Sequence, residues 1–569
     1  MKTKLMVALG SALLVVACAK EVQEAAPEPA YTQRARGAAG GKAEAEQLAL
    51  DRIEVTGSRI KRADVESSEP GGAVLADAPM SIPAPPPPPP SVAYKAVAPA
   101  TSRPAPQPIA TYEEPQTEIA YDAVTPSPLK MAADEPFSTF SIDVDTGSYS
   151  QARLALGQGR LPPAYSVRTE EFLNYFDYHY PLPRHLAQPF AVSTELADAP
   201  WNAEDKLLLI GIKGFPIDAA QLPPANLVFL VDTSGSMQSP DKLELLKHGF
   251  RRLVEGLRAQ DRVAIVAYAG AAGLVLPSTP GNQRGTILAA LDRLEAGGGT
   301  HGSAGIELAY RTAAQTMIPG GINRVILATD GDFNVGTTSV EQLKSLVAKK
   351  RDSGIALTTL GFGAWGYNGE IAEQLADVGN GHHAFIDDEL EAQRVLVEQM
   401  GATLLTIAKD VKIQVEFDPD VVKSYRLLGY ENRALRREDF DNDKVDAGEI
   451  GAGHSVTAIY QIETTRTIQP RDDLAMVRIR YKAPQSDVSQ LIEHPVRGGA
   501  LQAWASDRLQ FAMAVAGFAE KLRGSPALAG FDYTQVLRLL DASKQQDLDD
   551  ARDELRDLVE LARSLSGQS

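Results

Sequence analysis

A doubly wound α/β domain, flanked by an antiparallel β-sandwich and followed by a C-terminal helical region, is the fold class the sequence predicts. Three observations point there. Between about Ala225 and Leu405, the apolar runs LVFLVD, RVAIVAYA, GLVLPS, RVILATD, ALTTLGFG and HHAFID alternate with helical stretches, the pattern of parallel strands joined by crossover helices. After Asp410 the runs VKIQVEF, SYRLLGY, SVTAIYQIE and AMVRIRYKA follow one another with no helical period between them, as in a sandwich. From Ala500, stretches such as LQAWASDRLQFAMAVAGFAEKL read as two or three helices.

In chain order, the first segment is MKTKLMVALGSALLVVACAK. Two lysines, an apolar run and small residues make the layout of a secretory signal, so 1–17 is expected to be removed. Its last residues, Val15, Val16, Ala17 and Cys18, resemble the lipobox of bacterial lipoproteins, and Cys18 is the sole cysteine in the chain. That resemblance implies lipidation of Cys18, attachment to the membrane through acyl chains, and, with Ala19 following, an outer-membrane location in a Gram-negative envelope. The head could face the periplasm or the exterior.

Residues 18–130 are rich in Ala, Pro, Glu and Ser and peak at IPAPPPPPPS, Ile82–Ser91. Such a segment buries too little apolar surface to offset chain entropy and reads as a tether. Within it IEVTGSRIKR, Ile53–Arg62, resembles the segment near the N-terminus of TonB-dependent receptor plugs and reads equally as plain linker. Residues 131–224 turn globular. PFSTFSIDVDTGSYSQARLALGQGRLPP reads as strand, turn and helix, VRTEEFLNYFDYHYPLP as an aromatic-rich helix, and FAVSTELADAP and DKLLLIGIKGF as two strands shared with the later sandwich, 406–499. The α/β domain is assigned to 225–405 and the helical region to 500–569. In its first helix Leu243, Leu246, Phe250, Leu253 and Leu257 form one apolar stripe for the sheet.

The composition, 569 residues with 44% apolar and 23% charged, is that of a globular protein with more than one core. A formal charge of -18 excludes nonspecific nucleic-acid binding and attraction to an anionic lipid surface.

Chemistry concentrates where the first strand of the α/β domain ends, in NLVFLVDTSGSMQSPDKLELLK. Ligands of a doubly wound sheet bind at the carboxyl ends of its strands, and Asp232 stands at such an end. D-x-S-x-S puts one carboxylate and two hydroxyls, Asp232, Ser234 and Ser236, on one side of a tight turn. All are hard oxygen donors, which suit Mg²⁺, with Mn²⁺ or Ca²⁺ as open alternatives. Two other loops offer further oxygens: LEAGGGTHGSAGIELAY provides Thr300, and RVILATDGDFNVG provides Asp330.

The set Asp232, Ser234, Ser236, Thr300 and Asp330 resembles the metal-ion-dependent adhesion site of von Willebrand factor A domains. The resemblance implies that the serines and Thr300 hold the ion directly or through water, that both aspartates act partly through bound water, and that a protein partner's carboxylate completes the octahedron. PFSTFSIDVDTGSYS, FLNYFDYHYP and RLLGYENRALRREDFDNDKVDAGEIGAGHSVTAIY extend the likeness, from about residue 134 to the C-terminus, to von Willebrand factor A-domain lipoproteins of Gram-negative bacteria.

Other motifs carry less. Gly297, Gly299 and Gly302 spell G-x-G-x-x-G but follow a helix instead of a strand, so they read as glycines that let the Thr300 loop approach the metal. Asp439, Asp441 and Asp443 imitate a calcium loop, but Lys444 and Ile450 stand where glycine and glutamate belong, which leaves a solvated turn. Asp143, Asp145 and Ser148 read as a helix cap. His301 reads as a surface residue, and His382 and His383 point to opposite strand faces.

The function expected is a lipid-anchored envelope protein that binds an acidic protein ligand through Mg²⁺, in adhesion, assembly or scaffolding, without catalysis. The rival readings are an envelope spacer braced by its metal and a metal-dependent hydrolase. The motif shows no general base, basic clamp or second metal cluster beside it.

Overall fold

The computed structural model describes residues 126–567 apart from 186–187, 332–338, 364–368, 400, 402–403, 529 and 544–550. Cys18, the tether and Ile53–Arg62 lie outside the described residues. The chain forms β1 (Lys130–Met131), β2 (Phe137–Ser141), helices α1 (Gly147–Gly157) and α2 (Thr169–Tyr175), and the hairpin β3 (Phe190–Ala199) and β4 (Asn202–Gly214). There follow β5 (Ala225–Asp232), α3 (Leu245–Gly256), β6 (Arg262–Tyr268), β7 (Ala272–Pro280), α4 (Arg284–Asp292), α5 (Gly302–Gln315), β8 (Ile322–Thr329), α6 (Val340–Asp352), β9 (Ala356–Phe362), α7 (Glu370–Val378), β10 (His383–Ile386) and α8 (Glu389–Gln393). The remainder is β11 (Thr406–Phe417), β12 (Val422–Leu428), β13 (Ala434–Leu435), β14 (Gly448–Gly451), β15 (Ser455–Thr464), β16 (Asp473–Lys482), β17 (Ser489–Arg497), and helices α9 (Asp507–Leu522), α10 (Tyr533–Ala542) and α11 (Ala551–Leu565).

Six strands lie in the order β10-β9-β8-β5-β6-β7, so the winding reverses between β5 and β8. All pairs are parallel but one: β7 runs antiparallel to β6 at the sheet edge, contrary to an all-parallel sheet. The cause is the connection. Only Ala269 to Ala271 separate the two strands, whereas a parallel return needs a dozen or more residues. The predicted stripe Leu243, Leu246, Phe250, Leu253 and Leu257 is buried on one face of this sheet, with the Phe250 ring 4.1 Å from Phe229. Ile306, Tyr310, Leu343, Val347 and Leu375 from α5, α6 and α7 cover the other face.

The sandwich consists of sheets β1-β12-β15-β4-β3 and β13-β2-β11-β16-β17 with one apolar core between them. Each sheet takes strands from both sides of the α/β domain. Leu209 of β4 pairs with Ile459 of β15, and Phe140 of β2 with Ile413 of β11, so the α/β domain is an insertion in the sandwich. The outer face of the first sheet, Leu207, Leu209, Leu428 and Ile459, is covered by α1, α2 and the C-terminal helices through Tyr149, Phe172, Phe511 and Phe518. The aromatic-rich helix is short, ending at Tyr175, yet Phe176, Tyr178 and Tyr180 beyond it are buried in the same cluster.

Polar groups tie the inserted domain to its frame. Asp143 and Asp145 do not cap α1, whose N-cap residue is Thr146. Asp145 Oδ1 instead accepts the His383 N–H at the start of β10 (3.0 Å), and Arg433 pairs with Asp143 (3.2 Å) and with Asp377 of the α/β domain (2.8 Å). Two acids followed by a helix look like a cap in one dimension; their partners lie hundreds of residues away.

Arg324 of β8 and Glu449 of β14 are both buried. Burial pushes the Glu449 carboxyl up to about 8, against the opposing charge of Arg324. Between the ordinary carboxylate range and about pH 8 the folded chain therefore keeps a proton that the unfolded chain releases, so this group's contribution to stability falls as pH rises, by up to about 1.4 kcal/mol per pH unit. Thermal melts of Glu449→Gln against the unmutated chain at pH 6 and pH 8.5 are expected to show the variant gaining on the parent at the higher pH. A constant difference across that range counts against the assignment.

Candidate metal centre at the ends of β5 and β8

The reversal of winding between β5 and β8 opens a crevice at their carboxyl ends, the position where doubly wound sheets take ligands. Asp232 is the last residue of β5 and Asp330 follows β8 directly. Asp232 is fully buried. Its Oδ1 accepts the Ser234 N–H (2.8 Å), which closes the turn, and its Oδ2 accepts the Thr329 hydroxyl (3.5 Å). The Ser234 and Ser236 Oγ atoms lie 2.9 Å apart, so the two hydroxyls converge.

The Thr300 loop is stitched to that turn. Gly235 donates its N–H to the Gly298 carbonyl (2.9 Å), and Gly297 donates to the Thr233 carbonyl (2.8 Å). Gly298 has φ +89°, a backbone that side chains disfavour, and a Cβ on Gly235 would stand 3.3 Å from the Gly298 oxygen. Of the AGGGT glycines only Gly298 is required, by its backbone angle; a Cβ on Gly297 or Gly299 would meet nothing within 4 Å, and the close approach of the two backbones falls on Gly235. His301 is the N-cap residue of α5.

Electrostatically the crevice favours a cation. Burial drives the Asp232 carboxyl up to about 6; the Ser234 bonds resist this and the Asp330 charge adds to it. Tyr268, fully buried at the end of β6, is held protonated by burial and by the Asp232 charge, which push its phenol well above the usual value. Asp330 forms an ion pair with Lys242 (Nζ to Oδ2 2.9 Å), and the same ammonium donates to the Ser236 carbonyl (3.0 Å). Lys242 and Thr329 escaped sequence reasoning. A lysine near the start of an amphipathic helix reads as solvated, and Thr329 precedes a motif residue without belonging to the pattern.

The donors present are two carboxylates and hydroxyls, a hard set suited to a small divalent ion. Among the described residues no group of three or more His, Cys, Asp or Glu is placed to hold a metal, so a cation here would depend on the serine and threonine oxygens. Among the described residues no helix is long and apolar enough to cross a membrane.

Comparison with known families agrees with this architecture. The model of the von Willebrand factor type A domain matches residues 226–399, that of "von Willebrand factor" matches 115–209, and that of "Uncharacterized protein YfbK, C-terminal" matches 402–565. The uncharacterized protein YfbK of Escherichia coli (strain K12) is 43% identical over 465 residues, covering 78% of this chain and 80% of that protein. The uncharacterized Synechocystis protein sll0103 is 25% identical, over 54% of this chain and 73% of its own length. Human inter-alpha-trypsin inhibitor heavy chain H3 is 24% identical over 48% of this chain and 32% of its own. Among solved structures, a von Willebrand factor type A protein from Catenulispora acidiphila aligns with TM-score 0.40 and 16% identity, over 68% of this chain and 91% of that one. With an α/β domain of that type set between the matched flanking regions, the chain belongs to the YfbK-like family of bacterial von Willebrand factor type A domain proteins.

Proposed function

We propose that the chain binds a protein partner through a divalent cation held by Asp232, Ser234, Ser236, Thr300 and Asp330, with an acidic side chain of the partner completing the coordination. The supporting observation is the convergence of the Asp232 carboxylate and the Ser234 and Ser236 hydroxyls at the switch point of the sheet, with the Thr300 loop stitched alongside. Mg²⁺ suits these oxygens, and the ion would supply a Lewis-acidic site for the partner's carboxylate. Asp232 and Asp330 supply the charge, and the serine turn presents the neutral oxygens. The role is adhesion, assembly or scaffolding, and no catalytic step is assigned. The test is retention of a partner from envelope extract on the immobilised chain in Mg²⁺ against chelator. Recovery that is equal in both removes this reading and favours a structural spacer.

The same proposal places the chain on the outer membrane of a Gram-negative envelope, through acyl groups on Cys18. Cys18→Ser is expected to abolish palmitate labelling and to release the chain into the soluble fraction; labelling that persists removes the anchor.

A further inference from the structure

Lys242 lies on a π-helical turn, Pro240–Glu244, that precedes α3, and its backbone N–H is fixed by the Ser239 carbonyl (3.1 Å). From there the side chain passes over the end of β9. A Cβ on Gly363, at φ +112°, would lie 2.7 Å from Lys242 Cε and 3.1 Å from Cγ, so glycine at that position leaves the lysine stem its path. The head then makes the two bonds already described, to Asp330 Oδ2 and to the Ser236 carbonyl. The exposures of the partners differ: the Asp330 side chain is 1% exposed and that of Lys242 is 22% exposed. A carboxylate so deprived of water requires a counter-charge, and in this arrangement it is covalently part of the chain.

We propose that Lys242 is a tethered cation that holds the centre charge-balanced without metal and must be displaced from Asp330 when a divalent ion enters, thereby setting metal affinity. The inference rests on the metal reading above. The ammonium takes up one oxygen of a carboxylate that the ion would share, and it repels a second cation a few ångströms away. Asp330 is locked at the end of a central strand, whereas the lysine head is partly exposed on a flexible stem, so the lysine is the partner that moves. A D-x-S-x-S turn alone would bind whatever divalent ion is present; with Lys242 in place the ion has to compete.

The test uses the purified full-length chain and Mn²⁺ as probe. Lys242→Met keeps the stem over Gly363 and removes the charge; Lys242→Arg keeps the charge. In calorimetric titration Lys242→Met is expected to bind Mn²⁺ about tenfold more tightly or better, with Lys242→Arg near the parent. In chelator Lys242→Met is expected to melt below the parent and to recover on adding Mn²⁺. An affinity for Lys242→Met equal to or weaker than that of a parent that does bind overturns the role of Lys242 and leaves the metal centre standing. Absence of Mn²⁺ binding in both chains overturns both proposals. A second measurement needs no variant: acylation of Lys242 in the unmutated chain, followed by mass spectrometry, is expected to rise severalfold when Mn²⁺ is added. Unchanged or reduced labelling overturns the displacement.

Discussion

Asp232→Ala is expected to weaken divalent-metal binding by about 100-fold or more, since even residues one step removed from a metal typically account for 10–100-fold. Partner retention in Mg²⁺ should disappear with it. The fold should survive, and the reason is electrostatic. Asp232 is buried and its carboxyl is raised to about 6, burial outweighing the Ser234 bonds, so at neutral pH its ionised form is held against a desolvation cost. Alanine removes that cost and also the bonds from Ser234 and Thr329, two changes of opposite sign. In chelator the variant and the parent should therefore melt within a few degrees of each other. In excess metal the parent alone should gain, by about 2.7 kcal/mol at a hundred times the dissociation constant. A metal-induced shift of equal size in Asp232→Ala would place the ion elsewhere.

Arg153→Met is expected to cost about 3–5 kcal/mol in urea unfolding, because it leaves the buried Asp387 carboxylate without its cation, while Glu391 keeps the Tyr175 hydroxyl (2.8 Å) and Arg394 (3.9 Å). Arg153 on α1 is bonded to both oxygens of Asp387, with Nε to Oδ2 at 2.9 Å, and to Glu391 at 3.2 Å. It also donates to the Tyr175 hydroxyl (2.9 Å) and to Glu554 of α11 (3.3 Å). One guanidinium thus joins the α/β insertion, the N-terminal helices and the C-terminal helix. Burial already raises Asp387 to about 6 with the arginine present, so without it the carboxyl must rise further. The loss should accordingly be smaller at pH 5 than at pH 8. Adding Asp387→Asn should restore part of it. A loss below about 1 kcal/mol would show that the Arg153 network contributes little to holding the insertion in its frame.

Asp232, Ser234 and Ser236 were legible in the sequence because the donors occupy one turn, and a turn is a local object. Thr300 and Asp330 were offered by two further loops, and the resemblance joined all five into one set; the structure pins the Thr300 loop to the serine turn and puts Asp330 after the strand next to β5. Lys242 was hidden because its meaning depends on Asp330, eighty-eight residues onward, and on a glycine beneath its stem. Asp143 and Asp145 were misread for the same reason, since their partners Arg433 and His383 come from elements with no sequence relation to them. The antiparallel β7 could have been read from its short connection to β6, as loop length is visible in one dimension.

The interruption of the sandwich by the α/β domain also dictates an order of events during synthesis. β3 and β4 emerge before the insertion and can pair with each other, but β4 cannot meet β15 until the whole insertion has been made. The insertion holds a complete sheet with helices on both faces, so it can acquire its structure while the hairpin waits with Leu208, Ile210 and Ile212 uncovered. The waiting hairpin, like Phe140 of β2 and Phe172 of α2, whose partners Ile413 and Phe518 also follow the insertion, is thus apolar surface exposed in the nascent chain on which a chaperone would act.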